Sequence, residues 1–300
     1  MNHRVVDNQE YGNEVKLFRG FLVVTNSQKE LGKVPLSDIA VVVFSGGGST
    51  VSTKLLSALA DLRICAIFCS ENQMPNSMLL PYDTHHLHRT RLEAQIQASE
   101  PIRKRLWQQI VLAKIQNQRA VLSICTKEDP FITVLQNRVT SGDTENIEAH
   151  VARRYWSALF GDSFTRDQSV MGINTLLNYG YAILRGATAR AIVSTGLYPA
   201  IGIHHSNQGN SFVLADDLME PFRPLVDKAV YDIWKNHGLE LTKDKKSVLA
   251  NLLLYDLKTE QGHTIVMTAL YTAAQSLSKS FLNRFPELVL PINYFPEHIT

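Results

Sequence analysis

Long apolar runs are missing from this 300-residue sequence: the longest, such as Ile39 to Phe44, are strand-sized. A membrane-crossing helix needs about 20 apolar residues, so none is expected. Cysteine is scarce. Cys65, Cys69 and Cys125 form an odd set without a CxxC pair, which argues against a disulfide framework or a thiolate zinc site. The zincin signature HExxH is missing too. Met1 to Asp7 has no apolar core behind a basic start, so no signal peptide is expected and the expected compartment is the cytoplasm. Net charge is nearly nil, +2 from 30 basic and 28 acidic residues. Only local clusters can therefore speak about partners. Gly46-Gly47-Gly48 is not followed by GK[ST] and reads as a tight turn rather than a phosphate cradle.

What is present is an ordinary globular composition, 45% hydrophobic and 19% charged. A chain this long buries about three quarters of its unfolded surface without staples. The first part is β-rich. Glu14 to Thr25 has strand composition with an interruption at Gly20, and Ala40 to Phe44 and Ile64 to Cys69 read as buried strands around a helix at Ser49 to Asp61. Periodicity fades around Met74 to Thr84. This predicts a β-rich domain over residues 1–82 and a larger all-helical domain over 83–300, an α+β protein. Helices are expected from about His86 to Val121 with a break at Pro101, at Asn146 to Phe160, Asn174 to Ser194, Glu220 to Asn236, Lys245 to Leu257 and Thr264 to Phe285. Pro291 to Thr300 reads as an irregular tail.

Chemistry concentrates in the second part. Between His86 and Arg119 lie Arg89, Arg91, Arg103, Lys104, Arg105, Lys114 and Arg119, opposed only by Glu93 and Glu100. That local excess fits an anionic partner such as nucleic acid, although charge runs are usually solvated faces. Glu148 stands beside the apolar stripe Ile147, Val151, Tyr155 and Leu159. Taken singly, an ion pair with Arg153 or Arg154 explains it better than a ligand role. Asp217 and Glu220 lie three apart beside Pro221 and Pro224. Both can face one side at the positive end of a helix, where capping alone would account for one of them. His205 precedes them across a short polar loop that would bring it near the acids. One histidine with two or three carboxylates is a donor set for Mg²⁺ or Mn²⁺. Mutual repulsion among those acids makes the empty cluster a stability liability. On the intervening helix, Asn174, Asn178, Tyr181 and Arg185 form a polar stripe. It suits buried hydrogen bonds and support of a metal site equally well.

Four segments resemble, in order and spacing, the CRISPR adaptation integrases, the family of CRISPR-associated protein one. They are Glu148 to Trp156, Asn174 to Tyr181, Gly202-Ile203-His204-His205 and Asp217 to Pro224. The Leu79 to Tyr82 junction looks most like type II systems. The resemblance implies an N-terminal β-sandwich that dimerises and a helical catalytic domain. It implies a site of Glu148, His205 and Glu220 holding Mg²⁺ or Mn²⁺, with Asp217, Asn178 and Tyr155 as further candidates. His204, beside the ligand histidine, is the one departure that bears on the site. The implied reaction is transesterification, in which the 3′-hydroxyl of a short DNA fragment attacks a phosphodiester of a CRISPR array. Implied partners are double-stranded DNA, a second copy, the small CRISPR-associated protein two, the type II interference nuclease and a DNA-end-binding ring protein. Two other classes stay open: a stand-alone metal-dependent nuclease, and a non-catalytic DNA-binding scaffold.

Overall fold

The computed structural model describes residues 4–71, 74–81, 86–259 and 262–292. The domain boundary expected after residue 82 and the tail beyond 292 lie outside the described residues. The first part runs β1 (Arg4–Asn8), β2 (Glu14–Phe18), β3 (Phe21–Asn26), β4 (Lys29–Pro35), β5 (Ile39–Phe44), β6 (Thr50–Val51), α1 (Thr53–Asp61), β7 (Cys65–Cys69) and β8 (Pro75–Leu79). The interruption at Gly20 is a two-residue hairpin turn. Arg19 and Gly20 both take positive φ, 49° and 84°, and Phe18 pairs with Phe21 across it. Such turns match the right-handed twist of the strands they join. The triple glycine is a tight turn as expected, a Cβ on Gly46 lying 2.2 Å from the Glu10 carbonyl oxygen, but it leads into the short β6 rather than straight into α1. The helix then starts later than expected, at Thr53, capped by the Ser52 hydroxyl.

Two four-stranded sheets result, ordered β4-β3-β2-β6 and β1-β5-β7-β8. The apolar runs in β5 and β7 are explained by burial on both faces. Val42, Phe44 and Ala66 pack with Val15, Leu22, Leu55 and Leu59 between the sheets. Val41, Val43, Cys65 and Ile67 turn the other way, into the helical core. Burial pushes the Cys65 thiol up to about 12, so it is an inert core residue.

The helical part comprises α2 (His88–Ile96), α3 (Glu100–Cys125), α4 (Pro130–Gln136), α5 (Ile147–Phe160), α6 (Ile173–Ser194), α7 (Val213–Leu218), α8 (Arg223–His237), α9 (Lys243–Asn251) and α10 (Val266–Asn283). It is not all-helical. β9 (Asp256–Thr259) and β10 (Gly262–Ile265) pair as an antiparallel ribbon. The helix expected through Leu257 stops at Asn251, and the leucines after it form a 3₁₀ turn at Leu252–Leu254. The break expected at Pro101 divides the run from His86 into two helices, with Ser99 and Pro101 at the start of α3. The helix expected from Glu220 is also divided. Asp217 lies inside the short α7, Glu220 opens a 3₁₀ turn (Glu220–Phe222), and α8 begins at Arg223 with Pro224 in its first turn. α6 threads the centre and carries β7 against it. A Cβ on Gly186 would come within 2.8 Å of Ile67 Cδ1.

Candidate functional site

One face of α3 organises the site. Arg103, Trp107, Lys114 and Asn117 recur at steps of four, seven and three, which keeps them on one side of a helix. Arg103 donates from Nη1 to the Gly202 carbonyl at 2.7 Å and from Nη2 to the Gln95 carbonyl at 2.9 Å. The amide of Gln95, fully buried, donates to the Tyr198 and Ile201 carbonyls. Together they clamp the loop that ends in His204 and His205. Trp107 then stacks on the His204 ring, 4.3 Å between centroids, and meets the edge of His205 at 5.3 Å.

Asp217 finishes that loop from the opposite side. It is completely buried. Its Oδ2 accepts from the amides of Ile203 at 2.7 Å and His204 at 2.9 Å. Oδ1 lies 2.5 Å from His205 Nδ1. Gly202 is required there: a Cβ would stand 2.9 Å from Asp217 Oδ2 and 2.5 Å from the His205 carbonyl oxygen. The Asp217 hydrogen bond holds the His205 imidazole above its ordinary pKa against partial burial, with help from the Glu220 and Glu148 charges. The His204 imidazole goes the other way, lowered first by burial and then by His205.

Glu148 sits in the first turn of α5. Asp143 caps that helix by accepting from the Ile147 and Glu148 amides, both at 2.9 Å, and Asn146 takes a left-handed φ of 53°. The stripe Ile147, Val151, Tyr155 and Leu159 is buried as its spacing predicts. The ion pair expected with Arg153 or Arg154 is not made: Arg154 turns to Asp129 at 2.6 Å and Arg153 to the Ala149 carbonyl and His150. Lys114 reaches Glu148 instead and donates to its Oε1.

The same ammonium lies 2.6 Å from Glu220 Oε2, while Arg223 Nε stands 2.7 Å from Glu220 Oε1. Asn117 supports this turn by donating to the Pro221 carbonyl at 2.8 Å. Burial would raise the Glu220 carboxyl, but Arg223 and Lys114 outweigh it and hold the group below the usual carboxylate range. Burial likewise opposes the Lys114 charge, and Glu220 and Glu148 more than restore it. Two acids from different elements therefore meet at one cation, and His205 is close enough to feel both charges.

The other candidates separate from this centre. Tyr155 donates to Asp227 Oδ2 at 2.9 Å and Tyr181 donates to its Oδ1, so the Tyr155 hydroxyl serves a buried cluster behind the site. Asn178 fastens a loop: its carbonyl accepts from Arg166 at 2.8 Å and its amide donates to the Gln168 carbonyl. Arg185 pairs with Asp216 at 2.7 Å and steadies α7. In the basic run, Arg103 is internal, Arg91 donates to the Thr195 carbonyl at 2.7 Å, and Lys114 is buried. Arg89 and Lys104 form surface pairs with Glu93 and Glu100. Arg105 is exposed. Sequence reasoning missed Lys114, Trp107 and Asp227 as parts of this architecture. One signal was available: Lys114 interrupts the apolar run Ile110 to Ile115, where a lysine must find a buried partner.

The residues fit a hard divalent cation. Among the described residues no three histidine, cysteine or acidic side chains stand ready-grouped around an ion position; Lys114 and Arg223 contact the acids instead. The fit rests on the donor chemistry. Two carboxylates already converge on one positive charge, and Asp217 occupies Nδ1 of His205, leaving Nε2 as the ring donor.

Comparison with known proteins agrees in scale with the fold. The family model described as CRISPR associated protein Cas1 matches residues 8–258. A CRISPR-associated endonuclease Cas1 of Neisseria meningitidis serogroup C is 38% identical over 86% of this chain and 86% of its own. One from Francisella tularensis subsp. novicida is 28% identical over 84% and 86%. Among solved structures, a casposase bound to integration product superposes with a TM-score of 0.79 at 21% identity, covering 99% of this chain and 94% of that one. A Cas1 protein from Thermotoga maritima gives 0.75 at 18%, covering 93% and 97%.

Proposed function

The chain belongs to the Cas1 family of CRISPR-associated proteins, and from that premise we propose that it is a metal-dependent DNA integrase and endonuclease that inserts short DNA fragments into a CRISPR array. The observation that carries this reading is the meeting of Glu148 and Glu220 at a single cation, with His205 fixed beside them by Asp217.

In this reading Glu148, His205 through Nε2, and Glu220 hold Mg²⁺ or Mn²⁺, hard ions suited to carboxylate donors, the imidazole favouring Mn²⁺. When bound, the ion supplies Lewis-acid polarisation of a phosphodiester and a counter-charge for its transition state. The chain's own residues supply the order. Asp217 sets the tautomer and direction of His205. Trp107 and Arg103 keep that loop from moving. Arg223 holds one oxygen of Glu220, so the carboxylate presents a fixed edge. In the reaction, the 3′-hydroxyl of the fragment forms a new bond to phosphorus and loses its proton, while the target strand's bond breaks and leaves a 3′-hydroxyl. Water in place of the hydroxyl gives endonuclease cleavage at the same centre.

The partners in this reading are duplex DNA, a second copy joined through the β-rich part, and the small CRISPR-associated protein two. A type II setting adds the interference nuclease and the DNA-end-binding ring protein. A Cas6-RT-Cas1–Cas2 complex shares the fold at a TM-score of 0.76 and 18% identity, this chain covering 36% of that one. Two ends must join two positions, which a two-fold dimer satisfies simply.

The test is integration of a fluorescent short duplex into leader-repeat plasmid with Mn²⁺ or Mg²⁺, with and without the small partner. Strand transfer should need the ion and vanish in Glu148→Ala and His205→Ala. Transfer that persists in chelator, or in either variant, overturns the metal-dependent reading.

A further inference from the structure

We propose that Lys114 is the resident counter-cation of the acidic pair, and that a divalent ion binds Glu148 and Glu220 by displacing its ammonium, so that this lysine sets how tightly the site takes metal. This rests on the metal-dependent reading above and adds to it a residue outside the expected ligand set.

The geometry of the two acids is the first argument. Lys114 Nζ contacts Glu148 Oε1 and lies 2.6 Å from Glu220 Oε2. Ions of the Mg²⁺ type sit about 2.0–2.1 Å from carboxylate oxygen. A divalent ion held by these two carboxylates would compete with the ammonium for the oxygens that it contacts. Both being positive, the two cations also repel at close range.

The surroundings are the second argument. Lys114 is only 8% exposed, so little water is at hand to shield the acids in its stead. Two unpaired carboxylates this close would repel strongly in such a setting. The ammonium holds them together when no divalent ion is bound and keeps their spacing ready for one. Arg223 does not share this role. It holds the opposite oxygen, Glu220 Oε1, and lies over the Tyr181 ring at 4.6 Å. Exchange is thereby confined to the oxygens that Lys114 touches. A lysine suits such an exchange, because its flexible four-carbon stem lets a compact charge withdraw where a forked guanidinium would stay.

Two consequences follow in opposite directions. Without metal, Lys114 stabilises the folded protein. With metal, it competes, and the site binds more weakly than the same ligands would alone. The proposal is tested on the full chain by Mn²⁺ binding, read from the loss of the free-ion electron paramagnetic resonance signal, together with thermal melting. The variants are Lys114→Met, Lys114→Gln, Lys114→Arg and Glu148→Gln, with binding read in the cold so that weakened folds stay intact. Lys114→Met and Lys114→Gln should bind Mn²⁺ about tenfold tighter than wild type, a gain of about 1.4 kcal/mol. They should melt lower in chelator and gain more in melting temperature from Mn²⁺ than wild type does. Lys114→Arg, keeping the charge, should bind no tighter than wild type. Unchanged or weaker binding in both neutral variants, with binding lost in Glu148→Gln, overturns the displacement and leaves the metal site standing. Mn²⁺ binding absent from wild type, or indifferent to Glu148→Gln, overturns both.

Discussion

Asp217 holds His205 by its ring and by its backbone at once: the carboxylate lies 2.5 Å from Nδ1 and also faces the amide of the same residue, while accepting from the two amides before it. A buried carboxylate with this many donors is a fixed negative post. It settles where the imidazole points, so its contribution to catalysis is made through His205.

Asp217→Asn replaces that post with an amide that must turn one donor against the loop's own N–H groups. Strand transfer should fall about 10–100-fold, the usual effect of removing the partner that orients a ligand histidine. Mn²⁺ affinity should fall alongside it, while circular dichroism keeps its helical form. Near-normal transfer would show that His205 needs no such support.

The acids themselves behave differently from what like-charge repulsion suggests. From the sequence, an uncompensated cluster would relax when one acid is removed, and the melting temperature would rise. In the structure Lys114 and Arg223 neutralise Glu220. Glu220→Ala takes the carboxylate from Arg223 and leaves Lys114 with Glu148 alone, so it should cost about 3–5 kcal/mol of stability. Glu148→Ala should cost less, because Glu220 still pairs with Lys114. Chemical denaturation in chelator measures both, and a gain in stability for Glu220→Ala would contradict the pairing.

The basic run divides into structural and free members, which substitutions can sort. Arg103→Ala removes donors to the Gly202, Gln95 and Ala98 carbonyls. It should lower stability by about 1–3 kcal/mol. Arg105→Glu touches no such network. If Arg105 meets a DNA phosphate, that variant should weaken binding to all sequences alike and reduce the slope of log affinity against log salt by about 0.9. An unchanged slope removes Arg105 from the DNA contact.

How much of this was legible in the sequence follows from what each residue depends on. The β-rich then helical order was legible, because strand and helix periods are local. The resemblance of their segments pointed to Glu148, His205 and Glu220, and the structure brings Glu148 and Glu220 to one ammonium. Lys114 was not legible. Its meaning depends on Glu148 and Glu220, 34 and 106 positions away in the chain, and charge counting placed it with a solvated face. The division between α7 and α8 was hidden because Pro221 and Pro224 mark a helix start without saying that a short helix precedes it. The ribbon β9–β10 was missed because Thr264 and Ile265 continue the apolar pattern of α10, and only pairing with β9 makes them a strand.

The buried cluster behind the site supplies a prediction in pH. Asp227 receives hydrogen bonds from Tyr155 on α5 and Tyr181 on α6. Arg223 on its own helix and Lys114 on α3 also act on it. Burial nonetheless pushes its carboxyl from 3.8 up to about 7. A raised carboxyl means that the folded protein keeps a proton the unfolded chain has already lost. Stability therefore falls as pH rises from about 4 towards about 7, and levels off above. The slope for one proton is at most about 1.4 kcal/mol per pH unit. Asp227→Asn mimics the protonated form and has no proton to lose, so its stability relative to wild type should climb across that window. Urea unfolding of both proteins at about pH 5 and about pH 7 checks it. A stability difference that stays constant between those two conditions would mean that Asp227 is already ionised in the folded protein, and that the two tyrosines and the Arg223 charge outweigh its burial.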